Sequence, residues 1–221
     1  MPDPGGGTKC GTARRVGNNR DVEWTVLVPV KELGQAKSRL RGALPGVPHP
    51  DLVLALVLDT LSAALACPAV AVVVVVSSDE TVAGAARELG AKVLPDAPAA
   101  GLNPALAHAA AAAGGGPLAA LAGDLPALRG AELAAALAAA TIRGYVPDAA
   151  GTGTTLLAAP AGCRLEPRFG PDSARAHANS GAVELTGAGP SLRRDVDTPA
   201  DLAAAVRLGI GRRTSALLAL R

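Results

Sequence analysis

The sequence predicts an α/β fold, a mostly parallel sheet with helices on both faces. Three observations point to it. Aliphatic, β-branched stretches alternate along the chain with stretches of helical apolar spacing, as in strand–helix–strand units. The run Val70–Val76 is apolar without polar alternation, which a strand covered on both faces requires. The length, 221 residues, suits one such domain and is enough to bury a sizeable core.

Residues 1–21 are rich in Gly, Asn and Arg and read as a disordered tail. Residues 22–210 read as the folded domain and 211–221 as a C-terminal extension. Trp24–Val30 is the first strand, apolar almost throughout, and a Lys-containing loop follows over Lys31–Arg41. Leu52–Ala66 has helical spacing. After the Val70–Val76 strand, Glu80–Leu89 reads as a helix closed by Gly90, and Lys92–Leu94 as a short strand. Asn103–Ala113 is an Ala-rich helix stopped by Gly114-Gly115-Gly116. Pro117–Ala122 is a strand and Glu132–Ala140 a helix. A strand lies near Tyr145, then a Gly/Thr loop and a strand over Thr155–Ala159. A short helix starts near Pro171. Ala182–Leu185 and Arg193–Val196 read as short strands, and Pro199–Leu208 as the closing helix.

Apolar residues make up 49% of the chain but aromatics only 1%, so the core is built from Ala, Val and Leu. With 21 basic and 19 acidic residues the net charge is +2, which argues against a nucleic-acid partner. Trp24, Tyr145 and Phe169 are too few rings for a base-stacking surface. Cys10, Cys67 and Cys163 have neither disulfide-framework nor zinc spacing, and read as idle thiols in a reducing compartment. The first twenty residues lack the apolar region of a signal peptide, and Val72–Val76 is far too short to span a bilayer. The expected location is the cytoplasm, with no membrane partner. A homodimer is compatible with these numbers.

In doubly covered sheets ligands sit beyond the carboxyl ends of the strands. Lys31, Lys37 and Arg39 crowd the loop after the first strand. They are either a solvated loop or a cradle for polyphosphate, with Lys as a point charge and Arg as a fork. The spacing is not that of a Walker A loop. Asp124, in Gly123-Asp-Leu-Pro126, follows an apolar strand and is either a helix cap or a ligand carboxylate. In Asp195-Val-Asp197, i and i+2 of a strand would project together. Two carboxylates side by side call for a cation, and magnesium suits a few carboxylates with waters and phosphate oxygens. The other reading gives Asp197 or Thr198 to capping the helix at Pro199. Gly151-Thr-Gly-Thr-Thr155 and Phe169-Gly-Pro-Asp-Ser173 offer small residues, hydroxyls and a helix start, together suggesting a second anion site. None of His49, His108 and His177 has metal-ligand spacing, and only His177 lies near a proposed site.

These segments, with Val28-Pro-Val-Lys31, Ala36-Lys-Ser-Arg-Leu40, Asp195-Val-Asp-Thr-Pro-Ala-Asp-Leu202 and, more weakly, Gly101-Leu-Asn103, resemble the CofC/FbiD family of guanylyltransferases in coenzyme F-420 biosynthesis. The resemblance runs from about Trp24 to Leu208. It implies a Rossmann-like nucleotidyltransferase (GT-A-like) three-layer fold with a mixed sheet. It implies GTP and a small phosphorylated carboxylic acid, phosphoenolpyruvate or 2-phospho-L-lactate, as substrates. Carried over by position, Lys31, Lys37 and Asp124 look catalytic, and Lys31, Lys37, Arg39 and Asn103 look like nucleotide contacts. Thr155, Gly170 and Ser173 look like acid contacts, and Asp124, Asp195 and Asp197 like carboxylates for Mg2+. The Ala/Arg/Gly-rich composition resembles the actinobacterial branch, which favours phosphoenolpyruvate. The runners-up are a cytidylyl- or molybdenum-cofactor-type transferase, which would want a Gly-rich first loop, and an inactive nucleotide-binding regulator on the same fold.

Overall fold

The computed structural model describes residues 23–219. The tail expected over 1–21 lies outside the described residues.

Strand β1 (Trp24–Pro29) pairs in parallel with β2 (Val70–Val76) on one side and β4 (Leu118–Leu121) on the other. Beyond β2 lies β3 (Lys92–Leu94), also parallel. Beyond β4 the direction reverses. Strand β6 (Thr154–Ala159) runs antiparallel to β4 and to β5 (Gly144–Pro147), and β7 (Val183–Glu184) closes the edge parallel to β5. The order is β3-β2-β1-β4-β6-β5-β7. The sheet is therefore mixed.

Successive side chains of a strand point to opposite faces, and the core divides accordingly. Val26, Val28, Val73, Val75, Ala119 and Leu121 pack on α1 (His49–Leu65), α2 (Glu80–Glu88) and α4 (Gly130–Ala139). Leu27, Val74, Val76, Ala120 and Leu157 pack on α3 (Leu102–Ala112) and α5 (Ser173–Asn179). A third cluster, with Leu40, Leu52, Leu56, Val196 and Leu202, seats α7 (Pro199–Leu208) under α1. Helix α7 begins with a capping box: Thr198 accepts from Asp201 N–H, and the Asp201 carboxylate accepts from Thr198 N–H.

Some elements differ in type or bounds from the sequence reading. Arg193–Val196 is not a strand. Pro190–Arg193 is a short helix, α6, and the chain then runs on without strand pairing. Its start is held from afar: Glu132 on α4 accepts from Ser191 N–H and Oγ–H (2.9 and 2.7 Å). Ala182–Leu185 shrinks to the two residues of β7. The short helix expected near Pro171 is α5, which starts at Ser173 after an Asp172 in the left-handed region (φ 53°). The extension expected over 211–221 contains a helix, α8 (Arg212–Ala219), whose first N–H groups at Arg213 and Thr214 donate to the buried Asp59 carboxylate of α1 (3.1 and 2.8 Å). Cys67 is a buried free thiol whose pKa burial raises. Cys163, contrary to expectation, is disulfide-bonded. No helix among the described residues is long and apolar enough to cross a membrane.

Candidate active site

Strands β1, β4 and β5 run the same way, and the antiparallel β6 begins where they end. One rim of the sheet therefore gathers the loops after β1, β4 and β5 and the first residues of β6. A cavity of about 560 Å³ opens there, at the point between β1 and β4 where the strand order switches direction.

The β1 loop is tied twice at its start. Val30 N–H continues the pairing to Val76 O (2.9 Å), and Leu33 N–H donates to Asp79 Oδ2 (2.9 Å). The other Asp79 oxygen caps α2 through Thr81 and Val82. Burial pushes the Asp79 pKa up, but these three N–H donors outweigh it and hold the carboxyl below its ordinary value. Lys37 then adopts the left-handed conformation (φ 53°, ψ 43°), which costs a non-glycine residue about 1–2 kcal/mol. Its ammonium forms ion pairs with Asp124 and with Asp197 Oδ1, the latter at 2.5 Å.

Asp124 follows β4 through Gly123. A Cβ there would come 3.3 Å from Pro29 O and from Val28 Cγ1, so glycine lets the end of β4 lie close against β1. Thr60 Oγ1 accepts from Leu125 N–H (2.9 Å), and Val196 N–H donates to Asp124 O (3.1 Å). This last bond laces the Asp124 loop to the segment carrying Asp195 and Asp197, and Val196 is fully buried between them. Asp195 sits deeper than Asp197. Burial raises its pKa to about 6, with Asp197 and Asp148 adding to the rise and Lys37 opposing it.

Lys31, Lys37, Asp124, Gly170, Ser173, Asp195 and Asp197 all line the cavity. Arg39, Asn103 and Thr155 do not. Arg39 is exposed outside it. Thr155 is the extra residue of a bulge: Val146 pairs with Leu156 and Pro147 with Thr154. It is 1% exposed, its hydroxyl donates to Val146 O (3.4 Å), and the preceding Thr154 faces the cavity instead. Asn103, expected as a nucleotide contact, exchanges two hydrogen bonds with the Phe169 backbone through Nδ2 and Oδ1. The helix start near Pro171 is also less open than expected, since Ser173 N–H donates to Gly170 O and Ala174 N–H to Thr152 O. Sequence reasoning missed Asp148. It follows β5, lines the cavity and accepts from Thr152 N–H (2.9 Å). The apolar strand before it is the signal that was available.

His177 is fully buried. Its Nε2 accepts from Arg168 N–H (3.0 Å), so the ring proton lies on Nδ1, facing Thr154 Oγ1 (2.9 Å). Burial first, then Arg143 and Arg168, lower its pKa to about 4. It is a neutral structural imidazole outside the cavity lining.

Among the described residues no three His, Cys, Asp or Glu side chains converge tightly enough to cage a metal. Asp124 and Asp197 nevertheless share one cation, the Lys37 ammonium, and the Asp195 and Asp148 carboxylates lie nearby. Magnesium needs only one or two carboxylates when waters and phosphate oxygens complete its shell. The donor set fits that ion in the company of a polyphosphate.

A family model described as "Guanylyl transferase CofC like" matches residues 24–177. A protein named phosphoenolpyruvate guanylyltransferase in Salinispora arenicola is 64% identical over 198 residues, covering 88% of this chain and 92% of that protein. One of the same name in Streptomyces coelicolor is 53% identical over 205 residues, covering 90% and 97%. Among solved structures, a nucleotidyl transferase from Methanothermobacter aligns with a TM-score of 0.56 at 20% identity, over 85% of this chain and 98% of that one. A cytidylyltransferase from Leptospira borgpetersenii aligns at 0.54 and 16%, over 90% and 93%. At such identities the structural likeness speaks to the fold alone.

Proposed function

The chain belongs to the CofC-like guanylyl transferase family, and from that premise we propose that it moves GMP from GTP onto the phosphate of phosphoenolpyruvate. Pyrophosphate leaves, and the product is enolpyruvyl-diphospho-guanosine, a precursor in coenzyme F-420 biosynthesis. The observation that carries this reading is the facing arrangement at one rim: a lysine loop and carboxylates on one wall, a hydroxyl- and glycine-lined loop on the other. Relatives at 64% and 53% identity with the phosphoenolpyruvate name support the choice of acid. Both substrates are cytoplasmic metabolites, which favours that location.

An oxygen of the acid's phosphate attacks the α-phosphorus of GTP, and the bond to the β-phosphate oxygen breaks with its electron pair leaving on pyrophosphate. The attacking phosphate has a second ionisation near pH 6 and is mostly a dianion at neutral pH, so no protein base is required. The protein's task is to bring two polyanions together in line. Lys31 stands at the mouth of the cavity. Lys37 can exchange its carboxylate partners, Asp124 and Asp197, for the triphosphate. Thr154, Gly170 and Ser173 border the space for the acid. Asp124 and Asp197, backed by Asp195, would hold magnesium, which when bound neutralises charge on the triphosphate and the departing pyrophosphate.

Two measurements test this together. Mass spectrometry of products from GTP or CTP with each acid should show a guanylylated enolpyruvyl product, with 2-phospho-L-lactate and CTP used poorly. Asp197→Asn should abolish turnover at ordinary magnesium concentrations with an unchanged circular dichroism spectrum. Near-normal turnover of that variant would remove the metal assignment, and preferential use of CTP would remove the guanylyl reading.

A further inference from the structure

The segment between β6 and α5 has no regular structure, yet it carries Phe169 and Gly170 to the cavity wall. Gly170 has φ 137°, which side-chain-bearing residues rarely adopt. A loop of this kind needs outside support to keep one shape, and two side chains supply it. Asn103, in the first turn of α3, donates from Nδ2 to Phe169 O (2.9 Å) and accepts at Oδ1 from Phe169 N–H (2.7 Å). The amide copies the two-bond exchange of an antiparallel strand pair. His177 holds the adjacent peptide by accepting from Arg168 N–H, and the Phe169 ring meets it edge-on at 5.1 Å.

We propose that Asn103 is a positioning residue that locks the 168–173 loop to the opposite wall of the cavity, with His177 as the second pin. Neither side chain lines the cavity. Asn103 is suited to coupling because of where it stands: Gly101 and Leu102, immediately before it, line the cavity on the α3 side, while its partner Phe169 lines it on the loop side. One amide thereby sets the separation of the two walls. The inference rests on the reading above that Gly170 and Ser173 receive the acid.

The test is steady-state kinetics of Asn103→Ala, Asn103→Asp, Ser173→Ala and the Asn103→Ala/Ser173→Ala double variant, with hydrogen exchange of the 168–173 peptide. Asn103→Ala should raise the KM of the acid about tenfold, the effect of losing roughly 1.4 kcal/mol, and leave that of GTP within about twofold. Asn103→Asp keeps the acceptor for Phe169 N–H and should fall between wild type and Ala. Exchange in the loop should quicken in the same order. The double variant should bind the acid little worse than Asn103→Ala alone, because an unlocked loop no longer presents Ser173. A rise confined to the KM of GTP would make Asn103 a nucleotide contact, and additive effects with unchanged exchange would make it a bystander. Either outcome overturns the proposal. If Ser173→Ala leaves the acid's KM untouched while Asn103→Ala quickens loop exchange, it is the placement of the acid that fails. Should Asn103→Ala not fold, Asn103→Asp with the exchange measurement carries the same comparison.

Discussion

His177 combines full burial with an Nε2 that accepts from a backbone N–H. Its pKa of about 4 lies below the ordinary 6.5, so the folded state prefers the neutral ring. Stability from this preference is complete above about pH 6.5 and is lost as pH falls toward 4. The melting temperature should hold steady above neutrality and drop across that window, and His177→Gln should flatten the drop. The same variant should leave the inflection of the rate near pH 6 where it was. Asp195, raised to about 6, overlaps that inflection. Replacing the acid's phosphate by a phosphonate, which titrates higher, separates the two: the inflection moves if the substrate sets it and stays if Asp195 does. At this scale the sequence was informative where a residue follows an apolar strand, as for Lys31 and Asp124; Asp195 and Asp197 line the same cavity although no strand precedes them. It was uninformative where orientation or partner is set from a distance. The bulge that puts Thr154 in place of Thr155 depends on pairing with β5, and the partner of Asn103 lies 66 residues away.

Elements with their own signals were legible. The β-branched run gave β2 its bounds, and Pro199 after a capping residue marked the start of α7. Elements stabilised by a remote side chain were not. Helix α6 has only the four residues Pro190–Arg193, too few for an apolar period, and its cap comes from Glu132. Helix α8 depends in the same way on Asp59, whose side chain is 2% exposed. Asp59→Ala would leave the Arg213 and Thr214 N–H groups without their acceptor, a loss of about 1–3 kcal/mol for buried donors. At roughly 2–4 °C per kcal/mol for a chain of this size, thermal melting should fall by several degrees. Hydrogen exchange should show the loss centred on α8, with the KM values of both substrates unchanged because Asp59 faces away from the cavity. An unshifted melting temperature would mean that packing on α1 suffices without the cap.

For the molecule as a whole, the strand order explains why distant motifs meet. Chain reversal at β6 brings Thr154 to the rim where β1, β4 and β5 end, and leaves the opposite rim to Trp24, the Gly114–Gly116 turn and the end of β6. Mixed pairing of this kind was not visible locally, since β4 and β6 are equally apolar. Trp24 is the one tryptophan, 3% exposed, and the length of β1, about 20 Å, separates it from the cavity. Its fluorescence should report unfolding by a red shift and stay unmoved when GTP saturates the enzyme. A GTP-dependent shift would show that binding repacks the sheet from rim to rim.

The bond from Val196 N–H to Asp124 O has a further consequence. Every L-residue except proline supplies the same N–H at position 196, and every residue supplies the same carbonyl at 124. Genetic variation can therefore change what the two carboxylate segments carry but scarcely the fastening between them. A mutational scan would read position 196 as a packing position and pass over the joint. An amide-to-ester exchange of that single peptide link, made by chemical synthesis, is the change that evolution has no means to sample.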